Sequence, residues 1–256
     1  MNGHGNERGR RKRQIVESKF AVNYFAHALP WLGEPYLVAG TAVPDWLAVC
    51  DRGVRLRRKT IEPWLDDPDP VQAGVARGAA QHLADDARFH ETRAFVETSL
   101  ALTMLVRDFL DGERGFRPSL LGHLLVEVLL DAQLVAHYPA ELRRYYADLE
   151  QIDPGFVQRV VNRMGLRPTE RLAPFIRLFL AERILFDYGE DVRLLARLNQ
   201  VMRRVRCEPL PPAFVRPLAD ARQMVDARRS ELLQPVPAAA FADHRLDQGE
   251  PPCDSE

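Results

Sequence analysis

A chain of 256 residues, 46% hydrophobic and 28% charged, is long enough to bury one sizeable core or, at most, two small domains. Its 35 basic residues against 36 acidic ones leave a formal net charge of -1, which argues against general nucleic-acid binding, a function that rests on an excess of Lys and Arg. Cys50, Cys207 and Cys253 form no CxxC pair, which excludes a disulfide framework or a thiolate metal site and implies a reducing, cytoplasmic compartment.

In chain order, residues 1–14 (MNGHGNERGRRKRQ) are Gly- and Arg-rich and read as a disordered basic tail. No signal-type apolar stretch follows, because Glu17, Ser18, Lys19 and Asn23 interrupt it. No run of 18 uninterrupted apolar residues exists, so no membrane span is expected. From there the hydrophobic periodicity predicts helices over about 15–29, 44–50, 71–88, 90–111, 118–137, 139–150, 154–164, 169–187, 190–206 and 212–233. Pro30, Pro35, Pro44, Pro70, Pro118, Pro139, Pro154, Gly165 and Pro168 punctuate them. Alternating runs of β-branched residues are absent, so the expected fold is all-α, one domain over 15–234, with a second disordered tail at 235–256.

Polar residues recur along these helices in a pattern that points to chemistry. His27 lies near the end of the first. Asp45 follows Gly40 and Pro44, which predict a sharp turn into the second. In GVARGAAQHLADDARFHETRAF, His82, Asp86 and His90 stand four apart, with Asp85 able to substitute for Asp86; small residues before them would let a neighbouring helix approach closely. In RPSLLGHLLVEVLLDAQLVAHYPAELR, His123, Glu127 and Asp131 stand four apart on a segment otherwise apolar nearly all round. A step of four drifts only about 40° around a helix, so each triplet shares a face.

The second triplet is the sharper signal. An all-round apolar helix is a buried helix, and burying two carboxylates without partners costs several kcal/mol each. No Lys or Arg lies between Arg117 and Arg143 to neutralise them, so a divalent ion is the economical candidate. Facing helices that point imidazoles and carboxylates inward are how bundle metal sites are built. Such a ligand set suits Mn, Fe, Ni or Zn better than Ca or Mg. Taken singly, each element reads more blandly: His27 as a capping residue, His82–Asp86 as a surface pair, His137 as a helix-end residue.

These residues resemble those of the acyl carrier protein phosphodiesterase family, within the all-helical HD-type metal-dependent phosphohydrolases. The matching segments are Asn23-Tyr24-Phe25-Ala26-His27, Gly40 to Asp45, Gly78 to Asp86 with His82 between them, and Glu127 to Leu134, followed by Glu182 to Tyr188. The likeness covers about residues 23–205, and departs at Leu83, His90, His123 and Ala132. It implies an HD-like helical domain, a manganese-like divalent ion, hydrolysis of a phosphodiester, and metal or active-site roles for His27, Asp45, His82, Asp86, Glu127 and Asp131.

Combined with the residue pattern, it predicts a metal-dependent phosphohydrolase. Asp45, His82, Asp86 and Asp131 are the expected metal ligands for Mn, Fe or Zn, and Glu127 a ligand or general base. His27, His90 and His123 are expected to orient ligands, protonate the leaving oxygen or bind phosphate. The expected substrate is a phosphorylated small molecule or a phosphopantetheinylated acyl carrier protein. Two alternatives stand beside this: a non-catalytic helical binding protein with a buried polar network, and a hydrolase related to the zinc-dependent phospholipase C and nuclease enzymes.

Overall fold

The structure, a computed structural model, describes residues 23–111 and 114–234. The expected tails at 1–14 and 235–256, and the first part of the helix expected over 15–29, lie outside the described residues. The fold is all-α, with no strand among the described residues. In order, the helices are α1 (Tyr24–Ala28), α2 (Pro35–Cys50), α3 (Arg58–Ile61), α4 (Pro70–Glu91), α5 (Arg93–Phe109) and α6 (Pro118–His137). The second half adds α7 (Pro139–Glu150), α8 (Pro154–Met164), α9 (Leu172–Glu182), α10 (Asp191–Arg204), α11 (Val215–Ala227) and α12 (Arg229–Leu232). One apolar core runs through them from Tyr24 to Leu232.

The centre of that core is α6. Proline at its first position suits the start of a helix, and 14 of its 20 residues are buried. By length and composition alone α6 would suit a membrane span, but 78% of its most apolar stretch is buried within the fold, which is the behaviour of a core helix. It packs closely on α5 because Gly122 has no side chain: a Cβ there would stand 2.7 Å from the Ser99 carbonyl oxygen and the Thr103 amide nitrogen. The α1 helix, α7, α11 and the 3₁₀ turn Ile184–Gly189 pack on other parts of α6.

A second close pair is α2 on α4, where the backbones meet at Gly40 and Gly78. A Cβ on Gly40 would stand 2.5 Å from the Val75 carbonyl oxygen, and one on Gly78 would stand 2.7 Å from the Thr41 amide nitrogen. The small residues ahead of His82 therefore do permit close helix approach.

Helix starts follow local chemistry. Asp69 accepts the Val71 amide at 2.9 Å ahead of Pro70, and Asp153 accepts the Gly155 amide at 2.8 Å ahead of Pro154. Thr92 closes α4 and opens α5 together: its hydroxyl donates to the Phe89 carbonyl at 2.8 Å and accepts the Phe95 amide at 3.1 Å.

Three expectations are corrected. The helix expected from Pro44 begins at Pro35 and passes through Pro44. A mid-helix proline costs on the order of 3 kcal/mol, but Leu37, Val38, Ala39, Ala42, Val43, Trp46 and Leu47 of α2 are all buried, and full burial of each larger apolar side chain contributes about 1.5–3 kcal/mol. The break expected near residue 89 falls at Thr92, so His90 belongs to the same helix as His82 and Asp86. The helix expected over 169–187 ends instead at Arg183, in the left-handed region at φ 45°, and continues as the 3₁₀ turn.

Valine at Gly78 would force α2 and α4 apart. Urea unfolding of Gly78→Val is expected to show a loss of about 1–3 kcal/mol or more, whereas Gly189→Ala, with nothing within 4 Å of the added carbon, shifts stability by less than about 0.5 kcal/mol.

Candidate metal centre

Helix α4 lies between α2 and α6 in the order of the polar groups, and its face carries His82, Asp86 and His90 one turn after another. They divide between two clusters. His27 from α1 joins His82 and Asp86, with one possible donor atom from each within 4.8 Å of the others. His90 joins His123 and Glu127 from α6 on the same criterion. Asp86 links the two clusters, since its Oδ1 lies 3.3 Å from His90 Nδ1. The other ring nitrogen of His90 hydrogen-bonds Glu127 Oε1 at 2.8 Å. His123 Nε2 lies 3.2 Å from the same oxygen, without hydrogen-bonding geometry.

The first cluster brings together groups that could hold a metal ion. His27 Nδ1 faces Asp85 Oδ2 at 3.8 Å, and its Nε2 is buried with no hydrogen-bond partner. His82 repeats the arrangement: Nε2 faces Asp45 Oδ1 at 3.7 Å, and Nδ1 is buried without a partner. The two rings lie 4.3 Å apart. Metal-binding histidines commonly turn one nitrogen to the metal and the other to an orienting carboxylate. An unsatisfied buried polar atom costs about 1–3 kcal/mol, and this region holds two on imidazoles, His27 Nε2 and His82 Nδ1.

The electrostatics separate the clusters. Burial pulls His82 down to about 3, with His27 reinforcing it and Asp86, Asp85 and the Thr41 backbone opposing. A neutral imidazole, the form that binds metals, is thus the resting form at His82. Burial pushes the Asp45 carboxyl well above the usual range, and Asp86, Glu127 and Asp131 push the same way. At Asp86 burial is outweighed by His90 and His82, which leaves its carboxyl low. In the second cluster burial works against charge but loses. Asp86 and Glu127 raise His90 to about 10, while His123 and His90 bring Glu127 down to about 2. That cluster therefore holds internal ion pairs.

The expected ligand set is redistributed by the fold. Of Asp45, His82, Asp86 and Asp131, only His82 and Asp86 belong to a cluster; Asp45 Oδ1 lies 3.7 Å from His82 Nε2, and its Oδ2 is buried without a hydrogen-bond partner. Asp131 is spent elsewhere. Its two oxygens accept the Phe25 and Ala26 amides at 2.9 and 2.8 Å, capping α1, which has no side-chain cap of its own. Burial, opposed by those two amides, lifts the Asp131 carboxyl to about 8. His27, His90 and His123, expected in supporting roles, are themselves cluster members. His137 hydrogen-bonds the Gln133 carbonyl at 2.7 Å, the helix-end role expected of it.

Two contributors escaped sequence reasoning. Phe95 lies edge-on to both His90 and His123, at 4.6 and 4.8 Å between ring centroids, and walls off the second cluster. Asn23, one turn before His27, is buried with its side-chain oxygen unpartnered and lines a small cavity with His27 and Asp85. The cavity's space of about 20 Å³ is enough for roughly one water, and Ala26, Pro30, Phe89, Leu130, Leu232 and Leu233 complete its wall.

No family model matches the chain, and neither a curated protein nor a solved structure matches it.

The cap and the ligand set are separable by mutation. Asp131→Ala is expected to lower stability by about 1–3 kcal/mol and, because it frees the α1 cap that carries His27, to lower divalent-metal content only in part, whereas His82→Ala removes it. Elemental analysis beside chemical unfolding checks both; loss of metal from Asp131→Ala as complete as from His82→Ala would make Asp131 a ligand.

Proposed function

We propose that the chain is a metal-dependent hydrolase of a phosphate ester or phosphodiester, similar to the HD-type acyl carrier protein phosphodiesterases. The observation that carries this reading is the pair of buried, unpartnered nitrogens, His27 Nε2 and His82 Nδ1, each backed by a carboxylate on the far side of its ring. Further support comes from where the resembling segments meet. Asn23–His27, Gly40–Asp45, Gly78–Asp86 and the start of Glu127–Leu134 contribute neighbouring polar groups to one interior region, although up to about a hundred residues separate them in the chain.

In this reading His27, His82 and Asp86 hold the ion, and Mn, Fe or Zn suits two imidazoles with a carboxylate. A divalent ion supplies Lewis acidity toward a phosphoryl oxygen and lowers the pKa of water. Asp45 and Asp85 orient the two imidazoles. Glu127, fully buried and bonded to His90, serves as a proton acceptor. His90, with a carboxylate on each ring nitrogen, orients Asp86 and Glu127. The substrate is a phosphorylated small molecule or a phosphopantetheinylated carrier protein.

A second reading is favoured by the second cluster. The 2.8 Å bond between His90 and Glu127, with Asp86 on the other ring nitrogen, is a coherent ion-pair network without any metal. Such a network could serve a non-catalytic helical binding protein.

Protein purified without a histidine tag is expected to carry close to one divalent ion per chain. It is expected to hydrolyse bis(p-nitrophenyl) phosphate, to lose that activity with EDTA, and to regain it with Mn or Zn. Glu127→Gln is expected to lose about 100-fold or more in kcat. Activity indifferent to EDTA, or metal content far below one ion per chain, favours the non-catalytic network. Asp45→Ala, which leaves the ligand atoms in place, is expected to weaken metal affinity by about 10–100-fold, read by competition with a fluorescent chelator.

A further inference from the structure

A separate cavity contains none of the clustered histidines and carboxylates described above. It has a volume of about 240 Å³ and lies among α1, α6, α9, the 3₁₀ turn and α10. Its body is apolar: Phe175, Phe179, Leu194 and Leu198 line it, with Leu178 exposed among the lining residues. Six polar side chains also line it: Tyr24, Glu182, Tyr188, Arg197, Gln200 and Arg204. Tyr24 packs on Phe179 at 4.9 Å between ring centroids, so its phenol stands beside the apolar body.

Arg204 is the informative member. The other lining arginine, Arg197, is neutralised by Glu182 and Asp187. Arg204 has no carboxylate within ion-pair distance among the described residues, and the charges it senses are those of Tyr24, Tyr188, Arg52 and Arg203. Arg204 is exposed at the rim of the cavity, and partial burial of its side chain pushes its pKa down. Neither phenol, Tyr24 or Tyr188, hydrogen-bonds through its hydroxyl to another described residue, and both line the same space. An apolar body with a few convergent polar groups is the common form of a small-molecule site.

We propose that this cavity is a binding site for an amphipathic anion, a medium-chain carboxylate whose head meets Arg204 and the two phenols and whose tail lies along Phe175, Phe179, Leu194 and Leu198. The volume sets the length of the tail. A dry cavity of about 150 Å³ accepts benzene, six carbons; in the same proportion 240 Å³ accepts about ten. An anionic head is favoured over a cationic or neutral one, because Arg204 is the lining charge with no carboxylate beside it among the described residues. Glu182 does not offset this preference, since its charge is taken up by Arg197. The site is independent of the metal-dependent reading, and it stands whether or not the chain hydrolyses anything.

Isothermal titration of the full chain with decanoate, decanol and decylamine, all below their aggregation concentrations, tests it. Decanoate is expected to bind once per chain, at least tenfold tighter than decanol or decylamine. Arg204→Gln is expected to remove that preference, and Val201→Phe, which fills the cavity, to weaken all binding; circular dichroism confirms that each variant is folded. Arg204 stands at the end of α10, so Arg204→Gln keeps the test available should Val201→Phe unfold. Absence of saturable decanoate binding, equal affinity for decanol, or an unchanged preference in Arg204→Gln overturns the proposal.

Discussion

Two carboxylates in the middle of a helix that is apolar on every side are the constraint around which this molecule is arranged. Glu127 and Asp131 of α6 are both fully buried. Each needs something positive from outside the helix, and the fold supplies two different things. Glu127 receives the imidazoles of His90 and His123. Asp131 receives the free amides at the start of α1. The second arrangement has a further effect: a five-residue helix too short to be stable alone is tied to the core, and His27 is carried with it to the neighbourhood of His82.

Close backbone packing does the rest. Gly40 and Gly78 let α2 and α4 touch, which brings Asp45 within reach of His82. Gly122 lets α5 approach α6, and Phe95 of α5 then stands against His90 and His123. The polar centre is thus held by contacts between main chains rather than by long side chains, and main-chain contacts leave little freedom for the imidazoles they position.

Much of the fold was legible in the chain because helix period and proline position are local signals. Pro118, Pro139 and Pro154 each stand at a first helical position, and α6, α7 and α8 begin where they predict. Pro44 misled, since burial along both sides of it outweighs its local cost and that burial is tertiary. At the site, the four-residue spacing of His82, Asp86 and His90 pointed to one shared face although the expected break near 89 divided them, and spacing on a single helix is blind to what lies opposite. It could not say that the triplet divides between two clusters, or that Asp131 would meet an amide pair rather than a cation. The pairing of Asp85 with His27 depends on a contact between residues nearly sixty apart, and Phe95 carries no polar signal at all.

The threonine at the corner between α4 and α5 has a reach larger than its size. One hydroxyl joins the last turn of one helix to the first turn of the next, with His90 two residues behind it and Phe95 three ahead. An imidazole and the aromatic ring that shields it are thereby hinged on a single shared pivot. Because the rings sit on opposite sides of that corner, any tilt of one helix about it moves one ring against the other, so the firmness of this one hydroxyl's two bonds sets how well the imidazole stays shielded.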